Sequence, residues 1–380
     1  MHIPPAVFIA YPVKTVFIII IAVISALILF CSDAAISGAS KGFEIFISNV
    51  FPALFPFFVC INALKYTGAF SVRKDSCGKS GFAKAALKNF IIAGLSGFPA
   101  GAMLSKAAFR QGSENIMIPD ENEFSMLCAI TTLASPVFIT ASVANRMLRS
   151  SAAALPVAVC HYGTALLFLT GFILMQNKKE KAGRTVTAQT PSRQTLRQNS
   201  FSKPMPLSAI FPKAVSDSVF IMLRLGGTLI FFTVITEIPA SWKIFNGIPS
   251  GLKGLFFGSF EITNGISLIA SCALNLRTKC AFICSLLSFG GICVYMQAAG
   301  IADIRPKSYF FIKFLQSAVS GGLCYLVYPV FSPASGPVSN LFGDTLGERI
   351  VSMGELMLLG ILASVFAVLI SVFTAKRTKA

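Results

Sequence analysis

The chain has 380 residues, of which 54% are hydrophobic and 12% charged, and its mean hydropathy is +0.74. A soluble globule of that length needs more polar surface than this composition supplies, so the chain belongs in a bilayer. The formal net charge of +17 is then explained by loops flanking apolar segments, as membrane topology requires, and not by a nucleic-acid-binding face.

In chain order the apolar segments are Val13 to Phe30, Phe43 to Leu64, Asn89 to Phe109, Phe124 to Val143, Ser151 to Met175, Val215 to Glu237, Gly254 to Asn275, Ala281 to Ala299, Tyr309 to Val330 and Leu356 to Thr374. Each lies near the roughly 20 residues that a spanning helix needs. Val16 to Phe30 has few preceding charges, Lys14 and His2, and no small-x-small site directly after it. It reads as a retained first span and not as a signal peptide. The ten cysteines include Cys77 in a basic loop and otherwise sit in apolar segments without CxxC or Cys/His ligand spacing. Cys280 and Cys284 share a helix face as small packing residues, and no metal site or other cofactor is indicated.

Loop charge orders the spans. Lys65 to Lys88 and Gln176 to Lys213 are strongly basic, as is the tail with Lys376, Arg377 and Lys379, and all three are expected in the cytoplasm. The stretch Gln111 to Glu123, with Glu114, Asp120, Glu121 and Glu123, is expected outside. Three apolar segments lie between the two basic loops, and three full crossings cannot return the chain to its starting side. The outward acidic loop selects Phe124 to Val143, broken at Ser135-Pro136, as a re-entrant hairpin. With Arg277 and Lys279 expected inside, Ala281 to Ala299, broken at Gly290-Gly291, becomes the second hairpin.

The fold class expected is an all-α polytopic membrane protein, an inverted repeat of broken transmembrane helices with two re-entrant helical hairpins. Its parts are an N-terminal helix and outer loop (1–42), a first repeat (43–175), a polar cytoplasmic linker (176–212), a second, inverted repeat (213–330), and an outer loop, last span and basic tail (331–380). Eight spans and two hairpins result, in a multi-pass membrane protein.

The breaks carry the chemistry. Lipid cannot satisfy freed backbone groups, so interruptions survive only where protein covers them or where they line a polar cavity. Pro99 removes an N–H, and Gly97 and Gly101 let the backbone open beside Phe98. Ser135 and Pro136 break the next segment, and Ser288, Gly290 and Gly291 a later one. Glu261, Thr263 and Asn264 place a carboxylate, a hydroxyl and an amide within one turn, and Gln297 ends the last broken segment. A carboxylate at membrane depth is costly and marks a functional site by default. Glu261 is suited to accept a proton or cation, and Asn264 and Gln297 to read a nucleobase or amide edge. The structural alternative pairs Glu261 with Arg224 inside the bundle. His161 beside Tyr162 reads as a packing residue, and Lys106 and Arg110 as snorkelling cations. No Ser/His/Asp arrangement, P-loop or dinucleotide fingerprint occurs, so no enzyme is expected.

The blocks GLSGFPAGAMLSKAAFRQG, NEFSMLCAITTLASPVFI, GSFEITNGISL and SFGGICVYMQ resemble sporulation integral membrane proteins of the YlbJ type, within the wider nucleoside-recognition or Gate-domain group. The resemblance covers roughly Phe43 to Val330. Where that family shows Gly-Tyr-Pro, this chain has Gly97-Phe98-Pro99, which removes a hydroxyl. The resemblance implies a bacterial membrane protein linked to endospore formation and settles no substrate. Two functions stay open: a secondary transporter or permease of a small solute, nucleoside-like or ion-coupled, and a non-transporting scaffold for spore-envelope assembly. The partners expected are the lipid bilayer and an unidentified small molecule or ion, with homo-oligomerisation left open and no nucleic acid.

Overall fold

A computed structural model describes residues 5–67, 79–109, 119–181, 206–242, 245 and 247–331. The expected last span Leu356 to Thr374, the basic tail, Cys77, Arg110 and most of the polar linker lie outside these residues. Every regular element among the described residues is helical, and four helices, or five if a bent pair is taken as one, are long and apolar enough to cross a membrane. The chain is therefore an all-α, multi-pass membrane protein.

Helix α1 (Pro5–Phe30) meets α2 (Ser32–Ile45) at 100°. A π-helical turn, Phe46–Val50, carries α2 into α3 (Phe51–Tyr66), so the boundary expected at 42/43 falls inside a helix. Next come α4 (Lys79–Ser96), α5 (Ala100–Phe109), α6 (Glu121–Thr131), a π-helical segment Phe138–Met147 and α7 (Ala154–Lys181). The second half holds α8 (Leu207–Ala240), α9 (Ser250–Gly258), α10 (Ile262–Ser271), α11 (Leu276–Phe289), α12 (Gly291–Ala299) and α13 (Pro306–Phe331).

Two helical hairpins are present, but not where loop charge put them. Helices α4 and α5 fold back on one another about Gly97: Asn89 Nδ2 donates to the Leu104 carbonyl at 3.1 Å. Helices α9 and α10 do the same about Glu261, and a Cβ on Gly265 would overlap the backbone of Gly258. With 9 and 10 residues, α9 and α10 each reach about 15 Å, half a hydrocarbon core of roughly 30 Å. By contrast α11 and α12 run on as one apolar segment of 24 residues, Leu276–Ala299, long enough to cross. Helix α6 and the π-helical segment after it both lie along α7 and otherwise pack on different neighbours, α6 on α5 and α13, the π-helical segment on α3 and α10. Asn89 to Phe109 and Gly254 to Asn275, expected as spans, are thus the hairpins. Phe124 to Val143 and Ala281 to Ala299, expected as hairpins, are broken spans.

The correction moves the loops. A hairpin returns the chain to its starting side, so the start of α6 shares a face with the start of α4, contrary to the outward placement of Asp120. On that face Lys106 Nζ donates to the Ile301 carbonyl at 2.7 Å, Arg305 pairs with Glu121, and Ser308 donates to Asn122 at 3.0 Å. Arg277 and Lys279, expected inside, begin α11 at the other face, where Arg277 Nε donates to the Tyr325 carbonyl near the end of α13. The acidic residues near Asp120 do not set its side, because orientation follows Lys and Arg, and Asp and Glu contribute little. Each half still makes three crossings, and the positive-inside rule assigns the face carrying Lys79, Lys178, Lys213, Arg305 and Lys307 to the cytoplasm.

Contacts between the halves are reciprocal. Helix α6 packs on α13 as α11 packs on α7, and α5 packs on α12 as α10 packs on the π-helical segment; within each half, α3 touches that segment as α8 touches α12. Such an exchange is the mark of two units related by a pseudo-twofold axis. One apolar core gathers Phe46, Leu54, Phe138, Val157, Leu229, Ile266 and Ile283 from both units around the hairpin tips and breaks.

Candidate functional site

The four interruptions meet. Gly97, at φ +77°, turns the first hairpin, and a Cβ there would stand 3.0 Å from the Ser135 Cβ, so the first tip lies against the first break. The second tip is joined to the second break by backbone bonds: Ile292 N–H donates to the Ser259 carbonyl at 2.8 Å and Cys293 N–H to the Phe260 carbonyl at 2.9 Å. Gly290 and Gly291, at φ +84° and +74°, supply the left-handed turn that exposes those two amides.

Between them lies a partly open pocket of about 500 Å³, counting the open space at its mouth. Its polar lining is Ser96, Ser135, Glu261, Thr263 and Gln297; its apolar lining includes Phe98, Phe138 and Val294, with side chains of α3 and α8 such as Leu54 and Leu225. An apolar chamber with a few convergent polar groups is the usual form of a small-molecule site.

The predicted residues divide. Gly97, Phe98, Ser135, Glu261, Thr263 and Gln297 are brought together at the cavity. Pro99 follows Phe98 across a cis peptide bond, and Pro136 starts the outer half of its broken span. Gly101 faces the Thr131 carbonyl so closely that a Cβ would overlap it, which makes it a packing residue. Gly290 and Gly291 shape the break. Asn264 Nδ2 donates to Thr236 Oγ1 at 2.8 Å, and its Oδ1 has no partner among the described residues.

Glu261 is only 2% exposed and caps α10: its carboxylate accepts from Thr263 N–H at 2.9 Å and Asn264 N–H at 2.6 Å. Charge at a helix N-terminus is favoured, and two backbone donors offset part of the desolvation. The Arg224 pairing does not form, because Arg224 is exposed on the outer flank of α8. Glu261 is therefore held by backbone while it also lines the cavity. Ser96 Oγ has no partner among the described residues, and Gln297 is only loosely held, with Nε2 at 3.5 Å from both Thr228 Oγ1 and Cys293 Sγ.

Two basic residues that the sequence left as packing, or did not single out, reach the breaks. His161, 1% exposed, accepts from Ala134 N–H at Nε2 (3.2 Å), which leaves the Nδ1 proton to donate to Ser288 Oγ at 2.9 Å. Ser288 is thus a bridge between units and lies outside the cavity lining. Tyr162 Oη donates to the Ala134 carbonyl at 2.7 Å. Lys313, 0% exposed, donates from Nζ to the Thr132 carbonyl at 2.7 Å. Their sequence signal was a lone basic residue within an apolar run, which is also the pattern of an interface or snorkelling side chain. Lys106 does not snorkel: it binds the Ile301 carbonyl.

Among curated proteins, the chain is 26% identical over 338 residues to the sporulation integral membrane protein YlbJ of Bacillus subtilis (strain 168), and the alignment covers 82% of each chain. No family model matches the chain, and no solved structure matches it. The chain is a relative of the YlbJ-type proteins its four motifs resemble, whereas the nucleoside-recognition and Gate-domain grouping rests on those motifs alone.

Proposed function

We propose that this chain is a secondary transporter or permease that carries a small solute through the central cavity, in a cell that forms spores. The observation that supports this most is the convergence of two hairpin tips and two helix breaks on one chamber with a few polar groups. Broken helices at such a place expose backbone ends that bind solutes and ions at mid-depth. Glu261 keeps the second tip closed, Gln297 and Ser96 present groups to a polar edge of the solute, and Phe98 and Phe138 cover its apolar part. The two units then rock about the chamber, which opens to one face at a time. The spore connection comes from the name of the related Bacillus protein. No step of this reading requires an enzyme or a cofactor.

The test uses the full chain in proteoliposomes, with uptake of nucleosides, inorganic ions and small organic solutes measured beside ligand-induced thermal shifts. Gln297→Ala is the informative variant, because its long hydrogen bonds carry little of the fold. It is expected to leave abundance unchanged and to lower uptake at least tenfold, and Leu225→Trp, which fills the chamber, to block it. Sporulation complemented in full by both variants would instead favour an envelope scaffold.

A further inference from the structure

The amino group of Lys313 lies at the C-terminal end of the half-helix α6. There Thr132 leaves helical geometry (φ −81°, ψ 93°), and its carbonyl accepts no hydrogen bond from α6 itself. The end of a half-helix inside a membrane protein carries partial negative charge and unpaired carbonyls, and in transporters of broken helices it is where a coupling cation is coordinated. Here the chain's own ammonium is at that place. No carboxylate among the described residues forms an ion pair with it. Two oxygens on the same face of α13 stand near it in register: Gln316 Oε1, three residues after Lys313, is buried without a partner among the described residues, and Tyr309 Oη, four before, is buried beside the Thr132 side chain.

Position in the fold strengthens the reading. His161 stands seven residues past the first residue of α7, and Lys313 seven past the first residue of α13. Each is on the last helix of its unit and touches the broken span of the other unit: His161 at Ser288, Lys313 at Thr132. Only the second of these contacts brings a side chain with three donors and no acceptor to a backbone carbonyl.

We propose that the Lys313 ammonium is a tethered cation, occupying a built-in monovalent-cation site formed by the Thr132 carbonyl, Tyr309 Oη and Gln316 Oε1. The protein then needs no free alkali ion at the first break. Removal of the lysine side chain turns the same oxygens into a site for a free monovalent cation.

The experiment is thermal unfolding of the purified full chain in detergent, with choline chloride exchanged for sodium, potassium or n-butylammonium chloride at constant ionic strength. The parent is expected to show no dependence on the cation. Lys313→Ala is expected to melt lower in choline and to regain roughly 3 °C or more in at least one of the three small cations. A folded Lys313→Ala with no response to cation identity would overturn the proposal. If that variant yields no folded protein, Lys313→Arg and Lys313→Met decide. Folded Arg with lost Met supports a required cation. A folded Met variant, or loss of both, shows that charge is not what the position supplies and overturns the proposal.

Discussion

The two units face the same physical problem at their breaks and solve it differently. In the second, the freed amides of α12 are paired by the carbonyls of the neighbouring hairpin tip, backbone to backbone. In the first, side chains do the pairing: His161, Tyr162 and Lys313 bind Ala134 N–H, Ala134 carbonyl and Thr132 carbonyl. Buried backbone groups must be satisfied in either case. A backbone solution constrains which residues allow the approach, mainly glycine, while a side-chain solution concentrates stability in a few replaceable groups. Related architecture thus leaves the first break open to tuning by point substitution and the second nearly closed to it.

The largest effect concerns the relation between the units. Because each contains a hairpin and three crossings, single cysteines at Asp120 and Lys178 in a cysteine-free background should label from the same membrane face, and one at Lys253 from the opposite face. Asp120 and Lys178 on opposite faces would restore the helices as spans and end the comparison.

Next is Gly291→Val. Gly291 has φ +74°, and a Cβ would stand 3.1 Å from the Gly258 carbonyl oxygen and 3.2 Å from that of Phe260. The left-handed conformation alone costs a side-chain-bearing residue about 1–2 kcal/mol, and the crowding pushes tip and break apart. The yield of monodisperse protein should fall severely. A well-behaved variant would show that the backbone pairing is dispensable.

His161→Ala should follow, since it strands the Ala134 N–H and the Ser288 hydroxyl, at a loss of about 1–3 kcal/mol for a buried unsatisfied donor. His161→Gln, which keeps an acceptor, should recover part of the melting temperature. Tyr162→Phe removes one bond to the Ala134 carbonyl and should be the mildest, about 0.5–1.5 kcal/mol. An Ala134-side loss no larger than that of a surface control would sink the view that side chains hold the first break.

Much of this molecule follows from residues acting locally. Composition and run length set an all-helical membrane protein, and Gly97, Pro99, Pro136, Gly290 and Gly291 set where its helices stop, because φ freedom and a missing N–H act within one turn. What the chain does after each stop is not local. Gly258 and Gly265 let α9 and α10 touch backbone to backbone, so that pair folds back, while α12 continues from α11 because the second tip supplies partners for its first amides. Glu261 was readable as a candidate site residue, yet whether it met Arg224 or its own helix's amides depended on the rotation of α8. Lys313 and Thr132 are 181 positions apart, so their bond has no trace in any run of sequence. Local chemistry fixed the positions of the breaks, and the packing of distant helices decided their direction and what they face.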